Sequence, residues 1–166
     1  KVTYHHVTLG KSHNIFVSLS VNSRCVEMIC LIFKILPLLD TAKPILPQTD
    51  NEFFVFGDNN ILELHKYIQD NNIEGIIHLA SLYIQRHNAE DIPNLIQSNL
   101  YLGTAVLEAA VNTSVKWFIN TGTIWQNYNS PDGEDQYCPV NLYAATKQAF
   151  IDVAKFYLET TNIRIC

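Results

Sequence analysis

The 166 residues carry 16 Asp and Glu against 11 Lys and Arg, a formal charge of -5, with no basic run interleaved with aromatics, which argues against nucleic acid as a partner. At 48% hydrophobic residues the chain can bury one substantial core and is not a disordered polymer. Cys25, Cys30, Cys138 and Cys166 form no CxxC or Cys/His spacing for zinc, and no apolar stretch reaches the ~20 residues of a spanning helix, so free or buried thiols and no membrane are expected.

Along the chain, residues 1–50 form a divergent N-terminal segment. Period-2 alternation at 15–21 predicts one strand there. The apolar run 25–39, interrupted by Glu27 and Lys34 and meeting Pro37, predicts a buried helix or strand. No continuous apolar region followed by a small-residue cleavage site opens the chain, so a cytoplasmic location is expected.

From Phe53 the pattern sharpens. Phe53, Phe54, Val55 and Phe56 predict a short strand ended by Gly57 and Asp58, and Asn59 or Asn60 can cap a helix begun there. Ile61, Leu64, Tyr67 and Ile68 recur at helical spacing, and residues 75–80 then predict a second buried strand. Asp91 and Pro93 suit a first helical turn, after which Leu95, Ile96, Asn99, Leu102, Val106, Leu107 and Ala110 mark one face of a long helix, with Gly103 permitting close packing. Residues 115–120 predict a third strand, broken by Thr121, Gly122 and Thr123 at its carboxyl end, where open parallel sheets place their ligands. A loop with Pro131, Gly133 and Pro139 leads to Asn141, a cap for a helix over 142–159, and residues 163–166 begin another strand. Strands alternating with helices imply an α/β fold built on a parallel sheet.

The chemistry gathers at the end of that alternation. Tyr143 and Lys147 stand four residues apart near a helix start, so both project from one face. An ammonium beside a phenol lowers the phenol's pKa from its usual ~10, making it a general acid/base for alcohols and carbonyls. The spacing alone is common on solvated helix faces; Thr123, a hydroxyl at a strand end just before the loop that delivers Tyr143, gives it meaning. His78, inside a buried strand, reads as a core histidine.

The stretches Ile76-Ile77-His78-Leu79-Ala80-Ser81, Asn99 with Gly103-Thr104, Asn120-Thr121-Gly122-Thr123, and Pro139-Val140-Asn141-Leu142-Tyr143-Ala144-Ala145-Thr146-Lys147, in that order, resemble the extended short-chain dehydrogenases/reductases, also called the NAD-dependent epimerase/dehydratase family. The resemblance implies an incomplete Rossmann-like, doubly wound parallel sheet over 51–166 and an NAD or NADP cofactor. It also implies a nucleotide-sugar substrate and pairing into a homodimer through the two long helices. Tyr143 would exchange a proton with a sugar hydroxyl or keto oxygen, Lys147 would bind the nicotinamide ribose, and Thr123 would orient the reacting oxygen. Asp58 would sit near the adenine, Leu79, Ala80, Ser81 and Thr121 would line the cofactor, and Asn99 would fix the active-site backbone; the plainer readings are a helix cap for Asp58 and a solvent-facing amide for Asn99.

Three departures are visible. The family's opening strand and glycine-rich turn have no counterpart in residues 1–50, whose only glycine is Gly10. The substrate lobe that succeeds the tyrosine helix in relatives is not matched. Ile124 and Trp125 stand where 4,6-dehydratases carry an Asp-Glu pair, which turns the expectation from elimination toward a 4-keto reductase or a 4-epimerase. The competing expectation is a catalytically inactive remnant serving as a dimerising interaction module.

Overall fold

The computed structural model describes residues 2–9, 13–20, 52–56, 60–129 and 136–166. Six strands, β1 (Val2–Leu9), β2 (His13–Ser20), β3 (Glu52–Phe56), β4 (Gly75–His78), β5 (Trp117–Asn120) and β6 (Arg164–Ile165), form one sheet in the spatial order β3-β1-β2-β4-β5-β6. Strands β2, β4, β5 and β6 run parallel, with Ile76 opposite Phe118 and His78 opposite Asn120. β1 is antiparallel to both its neighbours.

The parallel strands follow the Rossmann-like sheet the sequence predicts; beyond them this edge is antiparallel, and it holds two strands of residues 1–50 where one is expected. The reason is the length of the connection. Only residues 10–12 separate β1 from β2, a span that joins antiparallel neighbours, whereas a parallel crossover takes a dozen residues or more. Residues 25–39 lie outside the described residues.

The helices begin at their caps. Asn60 opens α1 (Ile61–Asp70) by accepting the Glu63 amide at 3.2 Å. Asn141 opens α4 (Leu142–Thr160) by accepting the Ala144 amide at 2.9 Å. The long helix between them is continuous but not uniform: α2 (Ile92–Ile96), with Pro93 in its first turn, passes through a π turn (Gln97–Tyr101) into α3 (Leu102–Ala110). In that turn the Leu102 amide reaches back five residues to the Gln97 carbonyl.

All three helical runs pack on one face of the sheet. Ile76 and Phe118, paired across β4 and β5, meet Leu64 and Ile68 of α1, Leu102, Val106 and Ala109 of α3, and Phe150, Ala154 and Tyr157 of α4 in one buried cluster. Phe118 and Phe150 are wholly buried, each contributing on the order of 2–3 kcal/mol from the water their rings leave. Gly103 lets α3 and α4 approach, since a Cβ there would stand 2.5 Å from the Phe150 ring. A hydrogen bond of 2.8 Å from Tyr157 Oη to Glu108 Oε2 ties the same two helices farther along; burial, and then this bond and the carboxylate charge, push the phenol up to about 12. Among the described residues no helix is long and apolar enough to cross a membrane.

Candidate active site

Because β4 and β5 are parallel neighbours, their carboxyl ends lie side by side and the loops leaving them share one edge of the sheet. The His78 carbonyl accepts both the Thr121 amide, at 3.3 Å, and the Thr121 hydroxyl, at 3.2 Å, pinning the two loops at their roots. Strand β4 ends at His78, so Leu79 and Ala80, both buried, and half-buried Ser81 form the first residues of its loop.

Asn99 holds that loop from below. Only 2% exposed, it accepts the Leu82 amide at 2.6 Å through Oδ1, while its Nδ2 donates to the Leu82 carbonyl and to Thr146 Oγ1, each at 3.0 Å. The Thr146 hydroxyl in turn donates to the Tyr143 carbonyl at 2.7 Å. One carboxamide from the π turn therefore fixes both the β4 loop and the helical turn between Tyr143 and Lys147. The solvent-facing reading of Asn99 does not hold.

The loop after β5 is braced differently. Thr123 caps a 3-10 turn (Ile124–Gln126): its Oγ1 accepts the Trp125 amide at 3.4 Å, and Gln126 Oε1 accepts the Thr123 amide at 2.9 Å. Gln126 Nε2 then donates to Gln148 Oε1 on α4 at 2.9 Å, and the returning chain donates from Cys138 to the Gln126 carbonyl at 2.8 Å and from Val140 to the Trp125 carbonyl at 3.2 Å. A cavity of about 640 Å³ opens beside Thr123 between this loop and Gln148 and Ile151 of α4. Tyr143 and Lys147 do not line it.

Tyr143 and Lys147 occupy the first two turns of α4, 8% and 2% exposed. Burial holds the Lys147 ammonium down at about 8, against an ordinary 10.5. His78 lies under it, its ring 5.5 Å from that of Phe150, one turn beyond Lys147, and 5.7 Å from that of Phe118. Burial, and then the charge of Lys147, push this imidazole down to about 3, so it stays neutral. Among the described residues no ion pair or hydrogen bond engages the Lys147 ammonium.

Aromatic rings link the two loops to the tyrosine. Tyr83 meets Tyr143 edge to face at 5.0 Å and Trp125 at 5.9 Å, and Trp125 stacks on Tyr128 at 6.1 Å. Of the residues picked out in the sequence, Tyr143, Lys147, Asn99, Leu79, Ala80, Ser81, Thr121 and Thr123 thus converge on the ends of β4 and β5, and Asp58 lies outside the described residues. Tyr83, Thr146 and the Gln126–Gln148 pair join them without having been singled out. Only Gln126 carries a sequence signal, the Thr-x-x-Gln spacing of a reciprocal cap.

The profile of the NAD dependent epimerase/dehydratase family matches residues 40–166. A CDP-abequose synthase from Salmonella muenchen is 31% identical over 101 residues, which is 60% of this chain and 32% of that protein. Among solved structures, a point mutant of the UDP-glucuronic acid 4-epimerase from Bacillus cereus, bound to UDP-4-deoxy-4-fluoro-glucuronic acid and NAD, superposes with a TM-score of 0.57 at 25% identity, covering 68% of this chain and 36% of that one. The UDP-glucose 4-epimerase of Thermus thermophilus in complex with NAD shares the fold, with a TM-score of 0.55 at 21% identity over 64% of this chain and 36% of that one. The chain thus spans about a third of the length of the relatives it matches. With the family profile covering most of its length and the expected residues gathered at one sheet edge, the chain belongs to the NAD dependent epimerase/dehydratase family.

Proposed function

We propose that this chain provides the proton-handling centre of a nucleotide-sugar oxidoreductase, a 4-keto reductase or 4-epimerase, acting in the cytoplasm with NAD or NADP. The observation that carries the reading is Lys147: a cation 2% exposed, held at about 8 and without a partner among the described residues. The ammonium sits at the end of a buried side chain and meets no protein oxygen among the described residues, and the hydroxyls of a ribose would supply such partners. The nicotinamide-ribose end therefore fits the residues present: Lys147 and Tyr143 would hold it, with Leu79, Ala80, Ser81 and Thr121 alongside, and Asp58 would meet the adenine. The six glycines of the sequence include no closely spaced glycine-rich turn, so the chain's own contribution lies at the ribose end rather than the pyrophosphate.

A bound nicotinamide would supply hydride acceptance and donation at the sugar carbon. Tyr143 takes the proton of a sugar hydroxyl, or returns it to a keto oxygen, and the Lys147 charge one turn away favours its phenolate. Thr123 donates to the reacting oxygen from a capped, braced position. Ile124 and Trp125 leave no acid/base pair beside it, which favours hydride chemistry without elimination. The curated relative named for CDP-abequose, and the solved neighbour that holds a UDP-sugar and NAD, support the substrate class.

The test is titration with NAD(H) and NADP(H), then hydride exchange with CDP- and UDP-hexoses. Tyr143→Phe is expected to keep cofactor affinity and lose about 100-fold or more in turnover. A chain that binds neither cofactor, and whose turnover is indifferent to Tyr143→Phe, would sink the proposal.

A second reading, a dimerising module, draws on exposed apolar side chains along the two long helical runs: Ile92 and Ile96 on α2, and Ile151, Phe156 and Leu158 on α4. Phe156, 60% exposed, is its sharpest probe. If scattering gives a dimer mass that Phe156→Glu returns to monomer, pairing through these helices stands; a monomer at all concentrations removes it.

A further inference from the structure

Three aromatic rings stand in a row from the proton-transfer residue out to solvent. Tyr83 is 51% exposed and touches Tyr143 edge to face; Trp125 is half-buried; Tyr128, stacked on Trp125, is 71% exposed. Ile124, beside them, is 77% exposed. Such surface left in water is unfavourable, at roughly 25 cal/mol for each Å². The loop that carries Trp125 and Tyr128 is nevertheless held open by the Thr123, Gln126 and Gln148 bonds and by the backbone bonds to residues 138 and 140. An aromatic surface rigidly presented beside a catalytic group is suited to a ligand with a flat apolar face and a polar rim.

We propose that Tyr83 and Trp125 form the sugar subsite of this centre, with the apolar C–H face of the pyranose laid on the indole of Trp125 and its hydroxyl rim turned to Tyr83 and Tyr128. The inference rests on the reading of Tyr143 and Lys147 given above and names what lies against them. A nucleobase also stacks on indole, but it is separated from the reacting sugar carbon by a diphosphate. Tyr143 works on the sugar; Tyr83 touches Tyr143, and Trp125 touches Tyr83, so these two rings stand next to where the sugar must be. The Trp125 amide donates to Thr123 Oγ1, so a sugar seated on the indole also sets the hydroxyl that orients its reacting oxygen. Trp125 is therefore a specificity residue coupled to a catalytic one.

The chain has two tryptophans, and the other, Trp117, sits at the opposite end of β5 against Gly75. In a Trp117→Phe background the fluorescence reports Trp125 alone. With NAD bound, UDP-hexose or CDP-hexose is expected to quench and shift that emission, and UDP or CDP alone to leave it unchanged. Trp125→Ala is expected to raise KM for the sugar nucleotide by about tenfold with a smaller change in kcat, Trp125→Phe to recover most of that loss, and both to keep the NAD affinity of the parent. Equal quenching by UDP or CDP alone would assign the ring to the base and overturn the proposal. An unchanged KM in Trp125→Ala would overturn it too. Absence of NAD binding by the parent chain would bring down the function proposed above and this subsite with it, whereas NAD binding without a sugar-dependent signal would remove the subsite only.

Discussion

The loops that leave β4 and β5 end at the same sheet edge, yet they are secured in opposite ways. The β4 loop hangs on one buried carboxamide: Asn99 satisfies the Leu82 amide and carbonyl and reaches Thr146 out of contact with water. The β5 loop is held through Thr123 and Gln148, both partly exposed, on either side of the buried Gln126, with an open cavity beside them. A buried hydrogen bond is expensive to break because its orphaned partner finds no water, while an exposed one is replaced by solvent at small cost. The dry anchor sits where Tyr143 and Lys147 need fixed geometry. The more open brace borders the cavity beside Thr123.

Three substitutions measure that difference. Asn99→Leu fills the site with an apolar side chain of similar volume but strands the Leu82 amide and carbonyl; a loss of about 3 kcal/mol, or about 10 °C in melting temperature, is expected. A loss under about 1 kcal/mol would show that water reaches the pair and would erase the contrast.

Lys147→Met should move stability the other way. Removing a buried cation held at about 8 is expected to raise stability on the order of 2 kcal/mol near neutral pH while abolishing turnover. The advantage carries a pH signature. Between about 8 and 10.5 the unfolded chain binds the lysine proton and the folded one does not, so the parent gains stability as pH rises through that window and the gap to Lys147→Met narrows. Denaturant midpoints at neutral pH and at mildly alkaline pH check both the sign and the window.

Gln148→Ala is the mildest of the three. The Gln126 side chain it leaves behind is 6% exposed but lines the open cavity, which lets water replace the lost partner, and a cost of about 1 kcal/mol is expected in urea unfolding. Were it to match Asn99→Leu, the two loops would have to be regarded as equally dependent on their anchors.

The β4–α4 half was legible because its signals are local. Ile76 and Ile77, followed by Leu79 and Ala80, mark a strand buried on both faces, Asn60 and Asn141 are side-chain caps, and Gly103 lies where only a bare backbone lets Phe150 in. The hairpin of β1 and β2 was half legible. In β1 the period-2 rhythm is broken by adjacent His5 and His6, and its partner is set by a three-residue connection rather than by any pattern within the strand. At the site, the Thr123, Tyr143 and Lys147 set could be read because chemistry dictates both the residue types and their spacing. Tyr83 and Thr146 could not, since an aromatic in a loop and a hydroxyl in a helix are ordinary until the neighbours that make them matter are in place.

The π turn at Gln97–Tyr101 has a consequence for phase. A π turn inserts one residue without advancing the helix by its usual rotation of about 100° per residue, so the surface that α2 presents and the surface that α3 presents are offset from one another. On a uniform helix residue 99 would share a face with Leu102 and Val106; across the added residue Asn99 meets the β4 loop while Leu102, Val106 and Ala109 pack in the core. Shortening this stretch by one residue would restore a uniform helix and turn the carboxamide out of register with Leu82, which makes helix length here, and not only amino-acid identity, a condition for an ordered Tyr143 and Lys147.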